Sequence, residues 1–373
     1  PLTTDHALNR SGAVSRRSCE PKTSTPSSRR DRSRHRASPR SLVLLSRSMT
    51  TALSLKQLYT NVEAPLDDAR RLVSREWTDA IRLVYGADAT PPRLGGKMLR
   101  PALCFLSAGA IGERDTDRFV QMAAAMELLH LAALAHDDVV DHADTRRGNV
   151  SLNRLWDNHT AVLGGDYLVA RALDILTHYE STDVIRTALH YIHQMAQGEL
   201  INFGRKQKQL EEEDCIRLAE KKTASLFAVS CSCAAVLIKS PHERALYDFG
   251  MGVGTGFQLA DDLLDLDQDE ETLGKPSCGD LVEGKMTLPI LYLREAMSAD
   301  DVDRLDAFAG SSMTSDDRAW VRHMLGATGA REQTELPARD YVAKGKAVLE
   351  SLPASPQTEA MLGIADFVLL RDA

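Results

Sequence analysis

The 373-residue sequence contains few cysteines and no long apolar run. Its six cysteines, at 19, 104, 215, 231, 233 and 278, show no paired metal-ligand spacing, which favours reduced thiols. No apolar run reaches the roughly 20 residues that a membrane span needs, so we predict a soluble protein without a transmembrane segment. Strand signatures, in which β-branched residues alternate between turn signals, are nearly absent, and this excludes a β-rich fold.

The charges divide the chain into a basic tail and an acidic body. Residues 1–50 hold eleven Lys and Arg against three acidic residues, whereas the other 323 residues hold 34 basic against 50 acidic side chains. We expect residues 1–48 to be disordered, either as an organelle transit peptide or as sequence upstream of a natural start at Met49. Nucleic-acid binding by the Arg cluster at 29–36 is disfavoured, since no aromatic residue lies near it. Residues 49–373 should form one large domain, cytoplasmic unless the tail is a transit peptide.

From residue 52 onward, apolar residues recur at helical spacing, which predicts an all-α protein. The absence of a fixed repeat favours a single large helical bundle over a solenoid. Helices are expected at about 64–85, 97–111, 115–142, 151–178, 183–203, 211–238, 241–267, 286–296, 315–328 and 338–368. Segments 119–136 and 223–238 are rich in alanine and leucine around most of their circumference, which is typical of interior helices.

Three carboxylates end the first of these interior helices, in "LLHLAALAHDDVVD". Asp137 and Asp141 are four residues apart and share a helical face, with Asp138 beside them. Like charges this close repel, and a hard divalent cation would offset the repulsion. Mg²⁺ fits best because it shares its coordination with substrate phosphates. A single such cluster is nevertheless more typical of a solvated helix face than of a metal site.

A second copy of the cluster strengthens the metal hypothesis. In "GFQLADDLLDLD", Asp261, Asp262 and Asp265 have the same spacing and again end an apolar helix. Helical bundles build metal sites in their core from side chains on facing helices, and two buried clusters could face each other in this way. The two copies together predict a Mg²⁺ site between helices.

Basic residues accompany both clusters. Each one alone is typical of an exposed surface charge, but the set suits pyrophosphate, because arginine binds phosphate oxygens bidentately and lysine acts as a point charge. The set consists of Lys97, Arg100, Arg146, Arg147, Lys222 (followed by Thr223), Lys275 and Lys285. We therefore expect two bound anions, one held through metal and the other by direct contact with cations.

Seven motifs in chain order resemble those of the trans-isoprenyl diphosphate synthases. They are "GGKMLRP", "ELLHLAALAHDDVVD", "RRG", "GDYLVARA", "KT", "GFQLADDLLD" and "GKPSCGDLVEGKMTLPI". The resemblance covers about residues 90–295. It implies a bundle of the isoprenoid synthase type with a central cavity, a prenyltransferase that condenses isopentenyl diphosphate with an allylic diphosphate, and a homodimer. Met98, where many relatives have a second basic residue, and the region 297–340 depart from the family pattern.

The resemblance also implies a role for each motif residue. The metal ligands would be Asp137, Asp138, Asp141, Asp261, Asp262 and Asp265. The allylic diphosphate would contact Arg146, Lys222 and Lys275, with Thr223 and Gln258 beside the reacting carbons, and Lys285 would also bind substrate. Isopentenyl diphosphate would be held by Lys97, Arg100, His130 and Arg147. Catalysis would rest on Asp137, Asp138, Lys222, Thr223, Gln258 and Asp261.

The helix that precedes Asp137 would line the path of the growing hydrocarbon. Short-chain members of the family have bulky aromatic residues at the fourth and fifth positions before the first aspartate, whereas this sequence has Ala133 and Ala132. Beyond them lie Leu129, Leu128, Met126 and Met122. Each helical turn adds about 5.4 Å, close to one isoprene unit, so we expect a product of about thirty to fifty carbons. Close helix packing is the alternative reason for the small residues.

Three other functions compete with this interpretation. The same reaction could stop earlier, in a geranylgeranyl or farnesyl diphosphate synthase. A terpene cyclase would carry a different second metal motif and would have no need of Lys97 and Arg100. A non-catalytic subunit of a heteromeric prenyl synthase would have degraded motifs, whereas both aspartate clusters are complete here.

Overall fold

Helices account for nearly all regular structure in a computed structural model of the protein, which confirms the predicted all-α fold. The structure describes residues 53–89, 95–140, 157–204, 210–268 and 276–370, with the backbone alone at 145–146, 149–150 and 202–204. All of these residues belong to one unit, Thr51–Ala373. The predicted tail at 1–48 lies outside the described residues, so the domain boundary near Met49 stays a prediction.

Fifteen α-helices lie within the described residues. In chain order they are α1 (Leu55–Leu58), α2 (Glu63–Tyr85), α3 (Leu99–Ala110), α4 (Val120–Val140), α5 (Asn158–Thr177), α6 (Thr182–Gly204), α7 (Glu212–Ala219), α8 (Ser225–Ile238), α9 (Glu243–Asp267), α10 (Gly279–Val282), α11 (Leu288–Ala296), α12 (Ala299–Asp306), α13 (Ser315–Ala327), α14 (Ala330–Val348) and α15 (Pro356–Phe367). A two-residue antiparallel pair, β1 (Thr145–Arg146) and β2 (Asn149–Val150), lies between α4 and α5.

The interior of the bundle is occupied by α4 and α8, as their apolar composition predicted. Every residue from Met122 to Leu129 on α4 is buried, and so is every residue from Ser225 to Val236 on α8. Helix α4 packs mainly against α5, while α8 packs against α3 and α9. Burying one leucine or methionine side chain contributes about 1.5–3 kcal/mol. Helices without a polar face are therefore stable in this interior and not on a surface.

Helix α9 packs closely against neighbours on two sides because it carries glycine at alternate positions of "GMGVGTG", residues 250–256. A Cβ atom on Gly250 would lie 2.5 Å from Cα of Ala228 on α8. A Cβ atom on Gly256 would lie 2.4 Å from Cγ2 of Val342 on α14. Only glycine allows both approaches. The contacts fix the end of α9 that carries the second aspartate cluster.

The C-terminal region differs from the prediction. The helix expected at 338–368 is two helices, α14 and α15, separated by a 3₁₀ turn and Pro353. Helix α14 also begins at Ala330, before Pro337, which lies inside it. Proline in a helix interior costs about 3 kcal/mol, so the prediction began after it. Packing of α14 against α9 offsets that cost. Helix α12 is a further addition to the predicted set.

Among the residues that the structure describes, two helical segments are long and apolar enough to span a membrane. They are Asp117–Val140 and Glu212–Ile238, and 61% and 78% of their most apolar windows are buried inside the bundle. Core helices pass the same length and hydropathy criteria, so this is weak evidence for a membrane span. The expectation that the protein has no transmembrane segment stays a prediction.

An ion pair between α2 and α5 ties these outer helices together. The Glu76 carboxylate accepts hydrogen bonds from Nε and Nη2 of Arg171 at 2.8 and 2.9 Å, in a bidentate arrangement. These bonds hold the pKa of Glu76 below its ordinary value of 4.5, although burial opposes the shift. Because the folded-state pKa is lowered, the pair stabilises the protein above the unfolded-state pKa and loses its effect as the pH falls through the folded-state pKa.

We expect Glu76→Gln to lower the free energy of unfolding by about 2 kcal/mol at neutral pH, because it removes the charge from a half-buried pair. The difference from wild type should shrink below about pH 4. Urea unfolding at several pH values measures this. Asp174→Asn is the matched control, since Asp174 contacts the same guanidinium from an exposed position. A pH-independent difference for Glu76→Gln would contradict the prediction.

Candidate active site

The first aspartate cluster lies at the C-terminal end of α4, next to the segment that precedes α8. Oδ1 of Asp137 is 3.2 Å from Nζ of Lys222. Asp138 is buried, with 1% of its surface exposed. Asp141 lies outside the described residues. The structure thus brings the first predicted metal ligand together with the first predicted lysine of the allylic site.

Lys222 also contacts α6, where Oε1 of Glu199 is 2.7 Å from its Nζ. Burial alone would lower the pKa of Lys222, but the charges of Asp137 and Glu199 outweigh burial and raise it, so the ammonium stays charged. Sequence reasoning missed Glu199. The sequence feature that could have indicated Glu199 is that it is the sole acidic residue between Asp183 and Glu211.

A π-helical turn, Glu220–Ala224, connects α7 to α8 and carries both Lys222 and Thr223. Such turns are rare and occur frequently at functional sites, where they redirect side chains. Oγ1 of Thr223 donates to Oε1 of Gln258 at 2.5 Å, and Nε2 of Gln258 donates to Oδ1 of Asp262 at 2.6 Å. Five predicted site residues therefore form a continuous connection between the two clusters, in the order Asp137, Lys222, Thr223, Gln258 and Asp262.

The second cluster concentrates negative charge at the end of α9, where Asp265 is buried, Asp262 is half-buried and Asp261 is exposed. Burial raises the pKa of Asp262 well above its usual range, and the nearby charge of Asp280 raises it further, followed by those of Asp261 and Asp265. Asp280 begins α10 and was missed, although it lies inside "GKPSCGDLVEGK", a motif that was interpreted for its lysines. Buried carboxylates that repel one another are suited to receive a cation.

Asp265 also accepts backbone hydrogen bonds from the segment that begins α10. Its Oδ2 accepts a hydrogen bond from the backbone N–H of Asp280 at 3.1 Å, and its backbone carbonyl accepts one from Cys278 at 2.7 Å. Cys278 adopts a left-handed conformation with φ of 61°. Asp265 therefore holds the start of α10 against α9, and its role as a metal ligand stays a prediction.

The donor chemistry of the two helix ends fits a hard cation. Carboxylate oxygens are the ligands that Mg²⁺ prefers, and its remaining positions are usually filled by water and substrate phosphates. Within the described part of the chain, no three His, Cys, Asp or Glu side chains converge as a complete metal site. A site that shares its ligands with a diphosphate needs fewer protein groups, and the charge around Asp262 would be offset by the cation.

Lys285 faces the same region, since its charge lowers the pKa of Lys222. Its Nζ lies 2.6 Å from Oε2 of Glu283. Three more of the predicted phosphate ligands lie outside the described residues, namely the side chain of Arg146, Arg147 and Lys275. Their roles stay predictions.

The residues predicted for isopentenyl diphosphate lie at and before the start of α3 and on α4. Arg100 is 8% exposed, and its guanidinium carbon is 4.7 Å from the ring centroid of Phe227. Lys97 is exposed just before α3, and His130 is half-buried on α4. Burial raises the pKa of Tyr191, while the charges of Arg100 and Asp137 act on it in opposite directions. Arg100 and Asp137 thus both lie within electrostatic range of Tyr191.

The residues predicted to line the hydrocarbon path lie in the interior. Ala132 is 1% exposed and Ala133 is half-buried. Leu129, Leu128, Met126 and Met122 are all buried. Helix α4 contains no aromatic residue. The helix therefore offers only small or flexible apolar side chains along the predicted path.

Comparison with known proteins agrees with this geometry. The polyprenyl synthetase family model matches residues 89–324. Octaprenyl diphosphate synthase of Escherichia coli (strain K12) is 34% identical over 288 residues, which cover 74% of this chain and 87% of that protein. The short chain isoprenyl diphosphate synthase of Methanothermobacter thermautotrophicus is 36% identical over 287 residues, with the same two coverages of 74% and 87%.

A solved structure agrees as well. The crystal structure of polyprenyl synthase from Caulobacter crescentus CB15, complexed with calcium and isoprenyl diphosphate, matches with a TM-score of 0.78 and 32% identity. The match covers 86% of this chain and 99% of that chain. The predicted family is confirmed, and the chain belongs to the polyprenyl synthetase family, the trans-isoprenyl diphosphate synthases.

Proposed function

We propose that the protein condenses isopentenyl diphosphate with an allylic diphosphate, head to tail, in a Mg²⁺-dependent reaction. One observation carries this proposal. The π turn sets Lys222 against Asp137 and sets Thr223 against Gln258, which in turn contacts Asp262. Two carboxylate clusters with a charged lysine between them suit a diphosphate that is bound through metal on one side and by an ammonium on the other.

The first step breaks the C–O bond between the allylic carbon and its diphosphate. Binding must therefore strengthen as negative charge develops on the departing pyrophosphate. When bound, Mg²⁺ held by the aspartates of both clusters supplies electrostatic stabilisation of that charge. Lys222 is held in place by Asp137 and Glu199, so its ammonium needs little reorganisation to contact the same oxygens. Further proposed contacts to this diphosphate are Arg146, Lys275 and Lys285.

The second step joins the two substrates. The double bond of isopentenyl diphosphate attacks the allylic carbon, a new C–C bond forms, and a proton is lost to restore a double bond. We propose that Lys97, Arg100, His130 and Arg147 hold isopentenyl diphosphate by direct contact. The shared neighbourhood of Arg100 and Asp137 around Tyr191 supports this, because the two diphosphates must bind side by side for their carbons to meet.

For the product, we propose a chain of about thirty to fifty carbons. The buried alanines Ala132 and Ala133, followed by flexible methionines further along α4, support a path that is not closed near the aspartates. Methionine adapts its shape readily and can make room for a growing chain. A geranylgeranyl or farnesyl product would instead require a floor close to Ala132.

A homodimer is also proposed. Val162 and Leu163 on α5 are exposed, and so are Leu189 and Leu200 on the consecutive helix α6. Large apolar side chains exposed on adjacent helices are typical of an interface, and a two-fold symmetric pair is the commonest assembly for such a face. Burial of these four side chains in a partner would remove them from water.

The reaction is tested by incubating the purified protein with labelled isopentenyl diphosphate, one short allylic diphosphate at a time, and Mg²⁺. We expect a polyprenyl diphosphate ladder that ends at one length, resolved by chromatography after dephosphorylation. Chelation of the metal should stop the reaction, and added Mg²⁺ should restore it. Hydrocarbon formed from the allylic diphosphate alone would indicate a terpene cyclase. No turnover by the pure chain would favour a subunit of a heteromeric enzyme.

A further inference from the structure

The segment that carries Lys97 has a strained backbone. Residues 95–98 belong to no helix or strand, and Met98 adopts a left-handed conformation with φ of 52° and ψ of 35°. This conformation costs a non-glycine residue about 1–2 kcal/mol. Strained residues persist only where their surroundings over-determine them. Something outside the segment must therefore hold Lys97 where it is.

Two aromatic residues, one after the first helix of the body and one at the end of its last helix, supply that support. Oη of Tyr59, at the end of α1, donates a hydrogen bond to the backbone carbonyl of Lys97 at 2.8 Å. The ring centroid of Phe367, the last residue of α15, lies 5.3 Å from Nζ of Lys97. The side chain of Met98 is buried in the core, with 7% of its surface exposed, and anchors the segment there. We name Tyr59 and Phe367 the terminal clasp.

The terminal clasp is itself firmly seated. Leu58, next to Tyr59, packs directly on α15, where a Cβ atom on Gly363 would lie 2.4 Å from Cδ2 of Leu58. Burial raises the pKa of the Tyr59 hydroxyl, and the charge of Glu127 raises it further, so the hydroxyl remains a donor at all ordinary pH values. The first and last helices of the body thus act as one support beside α3.

We propose that Tyr59 is a positioning residue for isopentenyl diphosphate, which acts by holding the backbone of Lys97 so that its ammonium meets the diphosphate. The inference rests on the proposed function of Lys97. Tyr59 contacts the backbone carbonyl of Lys97 and not its ammonium. Phe367 lies against the ammonium and limits its directions through a cation–π contact. The proposed allylic residues on α4, the π turn and α9 make neither of these two contacts.

The test is Tyr59→Phe, which removes one hydroxyl and keeps the ring. We expect the KM for isopentenyl diphosphate to rise about fivefold, as the loss of one hydrogen bond predicts. The KM for the allylic diphosphate and kcat at saturation should stay within about twofold of wild type. A variant that merely loosened the fold would change both KM values together. An unchanged KM for isopentenyl diphosphate, or an equal rise in both, overturns the inference.

The matched control is Tyr179→Phe. Oη of Tyr179 donates to the backbone carbonyl of Arg118 at 2.7 Å, as Tyr59 does to Lys97, and also accepts from the backbone N–H of Met122 at 3.0 Å. We expect this control to lower the melting temperature without a selective change in the KM for isopentenyl diphosphate. Should Tyr59→Phe fold poorly, Phe367→Leu tests the other half of the terminal clasp and should raise the same KM about twofold; no change there counts against the inference. If the wild-type protein consumes no isopentenyl diphosphate, the proposed function has failed and the variants are not compared.

Discussion

Replacing Asp137 with asparagine is expected to reduce turnover by about three orders of magnitude, the loss seen when one preorganised electrostatic group is removed from a developing charge. Asparagine keeps the size of the side chain but removes a charge from the first cluster. The fold should survive, because Glu199 still lies 2.7 Å from Lys222 and leaves the ammonium with a counter-ion. The KM for isopentenyl diphosphate should change little, since its proposed site uses no metal.

Steady-state kinetics and thermal unfolding of the same preparation measure the two effects separately. Asp248→Asn is the matched control, because Asp248 lies on α9 but pairs with Arg244 at 2.8 Å, away from both clusters. We expect the control to retain activity. Turnover of Asp137→Asn within tenfold of wild type would show that this carboxylate does not hold the metal.

The second large effect is expected from Ala132→Phe, which should shorten the product to about fifteen to twenty carbons. Ala132 is buried one turn before the first cluster, so a phenyl ring there would close the path of the hydrocarbon. The first condensation should proceed at nearly the wild-type rate, because Asp137 and Lys222, which the proposal assigns to the allylic diphosphate and its metal, lie beyond the substituted turn. The added volume is expected to cost about 1–3 kcal/mol of stability.

Chromatography of the products made from one fixed allylic primer measures the product length. A series of side chains at position 132 relates that length to side-chain volume. Ala132→Val and Ala132→Leu should give intermediate lengths, in the order of their side-chain volumes. A product of unchanged length in all three variants would mean that the hydrocarbon does not pass this position and that the alanines serve helix packing.

The parts of the site that could be predicted are those that depend on spacing along one helix. Two clusters with the same spacing on apolar helices identified Asp137 and Asp262, because side chains four residues apart share a face whatever surrounds them. Glu199 and Asp280 could not be found in this way. Each reaches the site from another element, and only the tertiary structure decides which isolated acid points inward.

Backbone irregularities were also beyond prediction. The π turn at Glu220–Ala224 interrupts a pattern that is helical on both sides, and Ala224 at its end packs directly against Gly254 of α9. The left-handed Met98 likewise gave no signal, because the sequence there suggests only a missing basic residue. Its structural use is to anchor the segment of Lys97. Both features are favourable only in the assembled bundle, so local propensity opposes them.

The glycines of α9 lower the intrinsic helix propensity of residues 250–256. Each glycine disfavours a helix by about 1 kcal/mol relative to alanine, so residues 250–256 would hold little helix in isolation. Packing against α8 and α14 keeps this stretch helical, and the positions of the carboxylates at the end of α9 depend on that packing. We therefore expect backbone amides of this stretch to exchange with solvent as one cooperative unit with α14, so that loosening α14 would also displace the carboxylates of the second cluster.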